Sequence, residues 1–122
     1  MHELSICQSI VDTVQNELED EQVTNVREIH VRIGVLSGIE HKLLEHVFKF
    51  VIEGTAFSDC TLHTELVEVI AGCEYCQKNF KVENYYFVCP ECSAPSSTII
   101  EGNELTINKI IMEELSYAEV NQ

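Results

Sequence analysis

Two short cysteine motifs constrain the fold of this chain more than any other feature. Cys73 and Cys76 form the first Cys-x2-Cys motif, and Cys89 and Cys92 form the second after an interval of twelve residues. Two residues between cysteines allow both thiolates to turn onto the same ion, and two such turns complete a tetrahedral tetrathiolate site. The spacing therefore predicts that the four cysteines bind one metal ion, with structural zinc as the first candidate.

Two other uses of these cysteines stay open at this point. The first is a pair of disulfides, which is disfavoured because the chain does not resemble a secreted protein. The second is an iron ion in the same four-cysteine cage, with electron transfer as its purpose, because tetrahedral sulfur sites suit both metals. An iron protein of this kind would be coloured and redox-active when purified.

The charge of the chain narrows the class of partner. Seven Lys and Arg residues against 21 Asp and Glu residues give a net charge of −14 across 122 residues. A surface of this sign disfavours duplex nucleic acid and anionic membranes as partners, and it favours cations or basic protein patches. The first residues carry no basic stretch followed by an apolar run, so we expect a cytoplasmic protein without a secretory signal.

Hydrophobic periodicity predicts two helices in the first half of the chain. Apolar residues recur at spacings of three and four from Leu4 to Leu18, which predicts an amphipathic helix over residues 4–19. Ser37 and Glu40 form a capping-box pattern that would open a second helix, and Gly54 is placed to end it. The positions expected to face inward on that helix are Leu43, Leu44, Val47, Phe48 and Val51.

Three strands are predicted to complete the main fold. Residues 29–35 alternate apolar and polar side chains, residues 61–70 are rich in Leu, Val and Ile, and residues 105–112 shift phase near Lys109 as at a β-bulge. We expect the second and third of these strands to pair antiparallel. The predicted fold is α/β (α+β), with a small three-stranded sheet, two helices and an inserted four-cysteine zinc-ribbon domain.

The predicted domain boundaries follow from the cysteine motifs. Residues 1–72 and 103–122 form the α/β domain, and residues 73–102 form the inserted zinc-binding domain. Outside the cysteine motifs, Cys7 lies on the apolar helical face and is interpreted as a core residue, while Cys60 lies at a strand edge. His30 is expected to face solvent.

The N-terminus offers a second set of metal-binding groups. Met1, His2 and Glu3 supply a terminal amine, backbone amide nitrogens, an imidazole and a carboxylate within three residues. Nitrogen-rich tetragonal or square-planar sites suit Ni(II) and Cu(II). Spacing alone leaves open that this histidine has no metal role.

Taken together, these motifs resemble the HypA/HybF family of nickel metallochaperones in [NiFe]-hydrogenase maturation. The resemblance is carried by the opening Met-His-Glu-Leu-Ser, the strand sequence Val-Arg-Ile-Gly, the paired cysteine motifs and the sequence Glu-Gly-Asn-Glu-Leu over residues 101–105. It implies a nickel-binding α/β domain with an inserted zinc domain. It also implies delivery of nickel to the hydrogenase large subunit together with a maturation GTPase.

The resemblance also implies roles for individual residues. His2 would be the essential nickel ligand, Met1 or main-chain nitrogens would complete a planar set, and Glu3 would orient or shield the site. Glu40 corresponds to an acidic residue near nickel in some members, although a helix-capping role beside Ser37 fits it equally well. Cys73, Cys76, Cys89 and Cys92 would be the structural zinc ligands, with Zn2+ resident and Ni2+ transported.

The remaining expectations concern activity and partners. We interpret the chain as a non-enzyme, since it shows no nucleophile–base pair, phosphate loop or paired-carboxylate arrangement. Urease accessory proteins are a further class of partner to be tested, and a monomer or weak homodimer is expected. Two rival functions are a zinc-ribbon protein-interaction module without nickel function and a tetrathiolate iron redox protein.

Overall fold

The computed structural model describes residues 3–18, 23–95 and 97–113. Within these ranges the helices are α1 (Glu3–Glu17) and α2 (His41–Val51). The strands are β1 (Val26–Gly34), β2 (Thr61–Val67), β3 (Val69–Cys73), β4 (Asn79–Val82), β5 (Ser97–Glu101) and β6 (Leu105–Met112). The helices and strands form a main fold of two helices and a three-stranded sheet, with a second three-stranded sheet beside the cysteines. This confirms the predicted fold class.

The first sheet has the strand order β2-β1-β6, with β1 in the centre. Strand β1 pairs parallel with β2, because α2 forms the crossover between them, and it pairs antiparallel with β6. The predicted antiparallel pairing of residues 61–70 with residues 105–112 is therefore wrong. The phase shift near Lys109 is confirmed, since the register steps from Lys109 to Ile107 between two consecutive residues of β1.

Helices α1 and α2 cover one face of this sheet. Their apolar stripes and the alternate residues of β1 form one core. Its fully buried members include Cys7, Val14, Ile29, Ile33, Leu44 and Phe48. Two of the residues predicted to face inward are exposed instead. Leu4 is 62% exposed at the start of α1, and Leu43 is 43% exposed on α2.

The predicted capping box of α2 is not formed. Ser37 lies in a short 3-10 turn, where its Oγ accepts a hydrogen bond from the backbone N–H of Ile39 at 3.2 Å. Glu40 occupies the N-cap position, but its side chain makes no capping hydrogen bond. The helix ends at Val51, and Gly54 follows in the left-handed conformation that the sequence pattern anticipated, with a φ of 78°.

The predicted strand over residues 61–70 is divided at Glu68. Its first part is β2 of the first sheet, and its second part is β3, the central strand of a second sheet with the order β4-β3-β5. At this point the chain passes from the first sheet to the second and packs closely against the backbone of Gly102. A Cβ added to Gly102 would lie 2.7 Å from the Cα of Val69. The second sheet thus begins at Val69, whereas the domain division at residues 73 and 102 stays a prediction.

Within the described residues, no helix combines the length and the apolar character needed to cross a membrane.

Candidate metal sites

The cysteine motifs form two similar turns. Strand β3 ends at Cys73, and the backbone N–H of Gln77 donates to the carbonyl of Cys73 at 3.1 Å. In the second motif, the N–H of Ser93 donates to the carbonyl of Cys89 at 2.8 Å. Gln77 and Ser93 both have positive φ, at 64° and 62°, so each Cys-x2-Cys motif is closed by a residue in the left-handed conformation. The two turns present their four sulfur atoms to the same point.

The distances between the sulfurs fit one tetrahedral ion. The Cys73 and Cys92 Sγ atoms are 3.6 Å apart, as are those of Cys76 and Cys89, and all four lie within 4.8 Å of one another. With zinc–sulfur bonds of about 2.3 Å, two ligands of a tetrahedral site are separated by roughly 3.8 Å. A disulfide requires about 2.05 Å, and the four cysteines are free. The geometry thus excludes the disulfide alternative and suits a four-thiolate metal site.

Backbone amides favour the thiolate form of Cys73. The N–H of Cys76 points to the Sγ of Cys73 at 3.5 Å. This N–H lowers the pKa of Cys73 to about 7, and the N–H of Tyr75 acts in the same direction. Cys73 and Cys89 are buried while Cys92 is exposed, so the cluster lies at the surface of the second sheet.

The start of α1 lies against the start of α2. The Oε2 atom of Glu3 accepts a hydrogen bond from the backbone N–H of Glu40 at 3.2 Å. The carboxylate thereby binds at a helix N-terminus, where the helix dipole favours a negative charge. Met1 and His2, the other predicted nickel residues, lie outside the described residues. Glu3 and Glu40 are thus adjacent in space although 37 positions separate them in the sequence.

Comparison with known proteins agrees with these features. The family described as "Hydrogenase/urease nickel incorporation, metallochaperone, hypA" matches residues 1–112. This chain belongs to the HypA family. Its members are nickel metallochaperones and maturation factors, as the sequence motifs indicated.

Individual HypA-family relatives match over almost their whole length. The hydrogenase maturation factor HypA of Prosthecochloris aestuarii is 35% identical over 113 residues, which are 93% of this chain and 100% of the relative. The hydrogenase maturation factor HybF of Klebsiella pneumoniae is 27% identical over 110 residues, 90% of this chain and 97% of the relative.

Solved HypA structures share the fold. The solution structure of the Ni metallochaperone HypA from Helicobacter pylori matches with a TM-score of 0.67 and 25% identity, covering 93% of this chain and 98% of that one. A second solution structure of a HypA protein matches with a TM-score of 0.70 at 25% identity, covering 92% of this chain and 96% of that one.

The two remaining cysteines are core residues. Cys7 is fully buried, and its Sγ donates to the carbonyl of Leu44 at 3.4 Å, which ties α1 to α2. Burial, and then the charge of Glu3, raise the pKa of Cys7 to about 11. Burial likewise raises the pKa of Cys60 to about 11. Both thiols are therefore protonated at neutral pH, which agrees with the prediction of a core role for Cys7.

A group of three side chains that could hold a metal ion was missed by the sequence analysis. His30 does not simply face solvent: its side chain is 28% exposed and stacks on His63, with the ring centroids 4.6 Å apart. Its Nε2 lies 2.8 Å from the Oε1 of Glu28. Alternation along β1 could have placed Glu28 and His30 on one face, but only the parallel pairing of β1 with β2 brings His63 beside them.

Proposed function

We propose that this HypA-family chain binds Ni2+ through its N-terminal residues and delivers it for the maturation of [NiFe]-hydrogenase. His2 supplies an imidazole, and the terminal amine of Met1 or the backbone nitrogens of His2 and Glu3 supply further ligands. The observation that carries this proposal is the hydrogen bond from the Glu40 N–H to the Glu3 carboxylate. It holds Glu3, the residue next to His2, against the start of α2. The proposed ligands therefore directly precede a residue that is fixed in the fold.

The Glu3–Glu40 contact also suggests how the site works. The Glu40 N–H holds one carboxylate oxygen of Glu3. The two acidic residues are therefore neighbours at the start of α2. Negative charge near the imidazole and amine would favour a divalent cation. A site with few side-chain ligands can also surrender its ion readily. Selectivity against copper must come from geometry and metal availability, because copper binds such ligands more tightly.

The cysteine cluster has a separate role in this proposal. Cys73, Cys76, Cys89 and Cys92 would hold a zinc ion, which the separations of their sulfur atoms fit. Four thiolates leave no open position on zinc, so the ion would stabilise the fold without promoting hydrolysis. We retain residues 73–102 as the proposed zinc domain and residues 1–72 and 103–122 as the nickel-binding domain.

The proposed partners are a hydrogenase maturation GTPase and the [NiFe]-hydrogenase large subunit, in the cytoplasm. Urease accessory proteins are candidates as well, since the matched family is described for both hydrogenase and urease. The net charge of −14 would favour basic patches on these partners. We propose a carrier role and no catalytic one.

The nickel site is tested by titrating Ni2+ into the wild type and His2→Ala by calorimetry, with zinc content measured by elemental analysis. His2→Ala should bind one nickel ion fewer than the wild type, because the imidazole of the N-terminal site is removed, while it keeps the fold and the zinc. His46→Ala is the matched control, because His46 is an exposed histidine of α2 beside Phe50. It should bind nickel normally.

An N-terminal extension provides a sharper version of this test. A few residues added before Met1 leave every side chain in place but displace the terminal amine, so nickel affinity should fall. Undiminished affinity would rule out the amine as a ligand. Normal binding by His2→Ala would contradict the proposed site and favour a zinc-ribbon interaction module. Iron in the purified protein would favour the redox alternative.

A further inference from the structure

A second group of potential metal ligands lies on the first sheet, on the face away from the helices. Ile29 and Val31 of β1 point into the helix-covered core, so the alternate residues Glu28 and His30 point to the opposite face. His63 of β2 lies directly opposite His30 in the parallel register and shares that face. The three side chains thus meet on neighbouring strands of a regular sheet.

The ligand atoms of this group are already close together. The Oε1 of Glu28 lies 2.8 Å from the Nε2 of His30 and 3.6 Å from the Nε2 of His63, and the three ligand atoms lie within 4.8 Å of one another. Ligands at the usual bond lengths of about 2.0–2.2 Å from one tetrahedral ion are separated by roughly 3.3–3.6 Å. Small side-chain movements would bring all three onto one ion.

We propose that Glu28, His30 and His63 bind one late first-row divalent cation, such as Zn2+ or Ni2+. Two imidazoles and one carboxylate are donors that such ions accept, whereas Mg2+ and Ca2+ prefer oxygen alone. Three protein ligands leave coordination positions open to water or to an incoming donor, so the ion is exchangeable. The site shares no residue with the cysteine cluster or with the N-terminal nickel ligands, and it does not depend on the function proposed above.

The strands give this site a geometric advantage over histidines on a flexible segment. His30 and His63 are held opposite each other by the backbone ladder, and their rings stack with an interplanar angle of 16°. The side chains of His30 and His63 are 28% and 47% exposed, so an ion in water reaches them without any opening of the fold. The backbone positions of the ligands are thus set before binding, and the stacked rings need only rotate to direct both ring nitrogens at one ion.

The charges around the site weaken cation binding in a predictable way. Lys109 lies opposite His30 on β6, the strand that flanks β1 on the side away from β2. Its ammonium group attracts the Glu28 carboxylate electrostatically. A cation in this position repels a bound divalent ion. One step along the sheet, Arg32 and Glu65 form an ion pair at 3.5 Å, in which the two charges offset each other. Lys109 is therefore the neighbour whose removal should strengthen binding.

The test is a titration of Zn2+ into the full-length protein whose cysteine cluster already holds metal, followed by NMR of the histidine rings. The ring signals of His30 and His63 should shift together and saturate at one added ion for this site. That of His46 should stay unchanged. These signals report this site alone, so the result is independent of whether nickel binds at the N-terminus.

Substitutions then assign the ligands. His63→Gln should remove one bound Zn2+ and abolish the response of His30, and Glu28→Gln should weaken binding at least tenfold. Lys109→Gln should tighten it several-fold. His46→Gln is the matched control with unchanged stoichiometry. Since these side chains are partly exposed, the melting temperatures of the variants should stay near that of the wild type.

Two results would overturn the proposal. The first is that the His30 and His63 signals stay unchanged while Zn2+ rises to millimolar concentration. The second is that His63→Gln binds as many zinc ions as the wild type, with the same affinity. Either result would show that the three side chains form only a surface hydrogen-bonding group.

Discussion

The two sheets of this protein have three strands each, but they are stabilised by different means. Among the described residues, the first sheet and its helices share a cluster of fifteen buried residues, which includes Phe48, Ile29 and Leu44. The second sheet has a cluster of three, namely Val69, Ala71 and Val82. The first region can therefore fold by hydrophobic burial, whereas the second has too little apolar surface to do so alone.

The difference shows what the cysteine cluster contributes. Tyr75, Tyr85 and Tyr86 remain exposed in this region, and Phe80 and Phe87 pack only partly buried against the three core residues. A structural zinc ion can supply the missing free energy, because its binding free energy becomes folding free energy. We infer that one region depends on packing and the other on metal, and the following predictions are ordered from the largest expected effect to the smallest.

Cys73→Ser or Cys92→Ser should lose zinc and unfold the second sheet. Zinc contributes on the order of 10 kcal/mol, which three buried apolar residues cannot replace. The first sheet should stay folded. Zinc content and amide hydrogen exchange measure both outcomes. Cys60→Ser is the control that should keep its zinc, and full zinc occupancy with native exchange in the ligand variants would refute the metal dependence.

Phe48→Ala should have the opposite pattern. Phe48 is fully buried between α2 and the sheet, and its truncation should lower the free energy of unfolding by about 3–5 kcal/mol. Zinc content should not change. Denaturant unfolding measures the loss, and Phe50→Ala provides the control, because Phe50 is 64% exposed on the same helix. Loss of zinc in folded Phe48→Ala would contradict the separation of the two regions.

Gly34→Ala tests the junction between the sheets. An added Cβ would lie 2.1 Å from the carbonyl carbon of Gly102, so one backbone segment must move. The hydrogen bond from the Leu36 N–H to the Gly102 carbonyl, at 2.8 Å, would be disturbed too. We expect a loss of about 1–3 kcal/mol, with faster amide exchange at Leu36.

Gly72→Ala is the matched control for this junction. Its added Cβ would meet the side-chain oxygen of Asn79 at 3.1 Å, and a side-chain end can move away. The free energy of unfolding should therefore change less than in Gly34→Ala. Equal losses in the two variants would show that close approach at the junction is not decisive.

Glu40→Gln should have the smallest effect on stability. Its side chain makes no capping bond, and its backbone N–H remains, so the free energy of unfolding should change by less than about 0.5 kcal/mol. Glu3→Gln should cost up to about 1 kcal/mol, because a charge at the N-terminus of α2 is lost. Urea unfolding compares the two variants.

The Glu40 variant also tests the nickel proposal. Weaker nickel binding in Glu40→Gln without destabilisation would support a role near nickel. A loss of stability in Glu40→Gln as large as in Glu3→Gln would restore the capping interpretation.

Local sequence patterns were sufficient to predict several elements of this fold and its cysteine cluster. The recurrence of apolar residues at intervals of three and four predicted α1 to within two residues at its C-terminus. The alternation of apolar and polar residues over residues 29–35 predicted β1. The Cys-x2-Cys spacing predicted a four-sulfur cluster. These features depend on residues within a few positions of one another, so the period of the backbone and the geometry of a turn are enough to specify them.

Such local patterns did not predict the contacts between segments that are distant in the sequence. The central place of β1, the change of sheet at Glu68 and the pairing of His30 with His63 all depend on which strands become neighbours. Local propensity does not encode this choice, because it follows from the joint burial of several apolar faces. The sequence by itself thus determined the two helices, β1, β6, the cysteine cluster and the family, but not β4, β5 or the division between β2 and β3. Only the tertiary structure placed Glu3 beside Glu40 and joined Glu28, His30 and His63 across two strands.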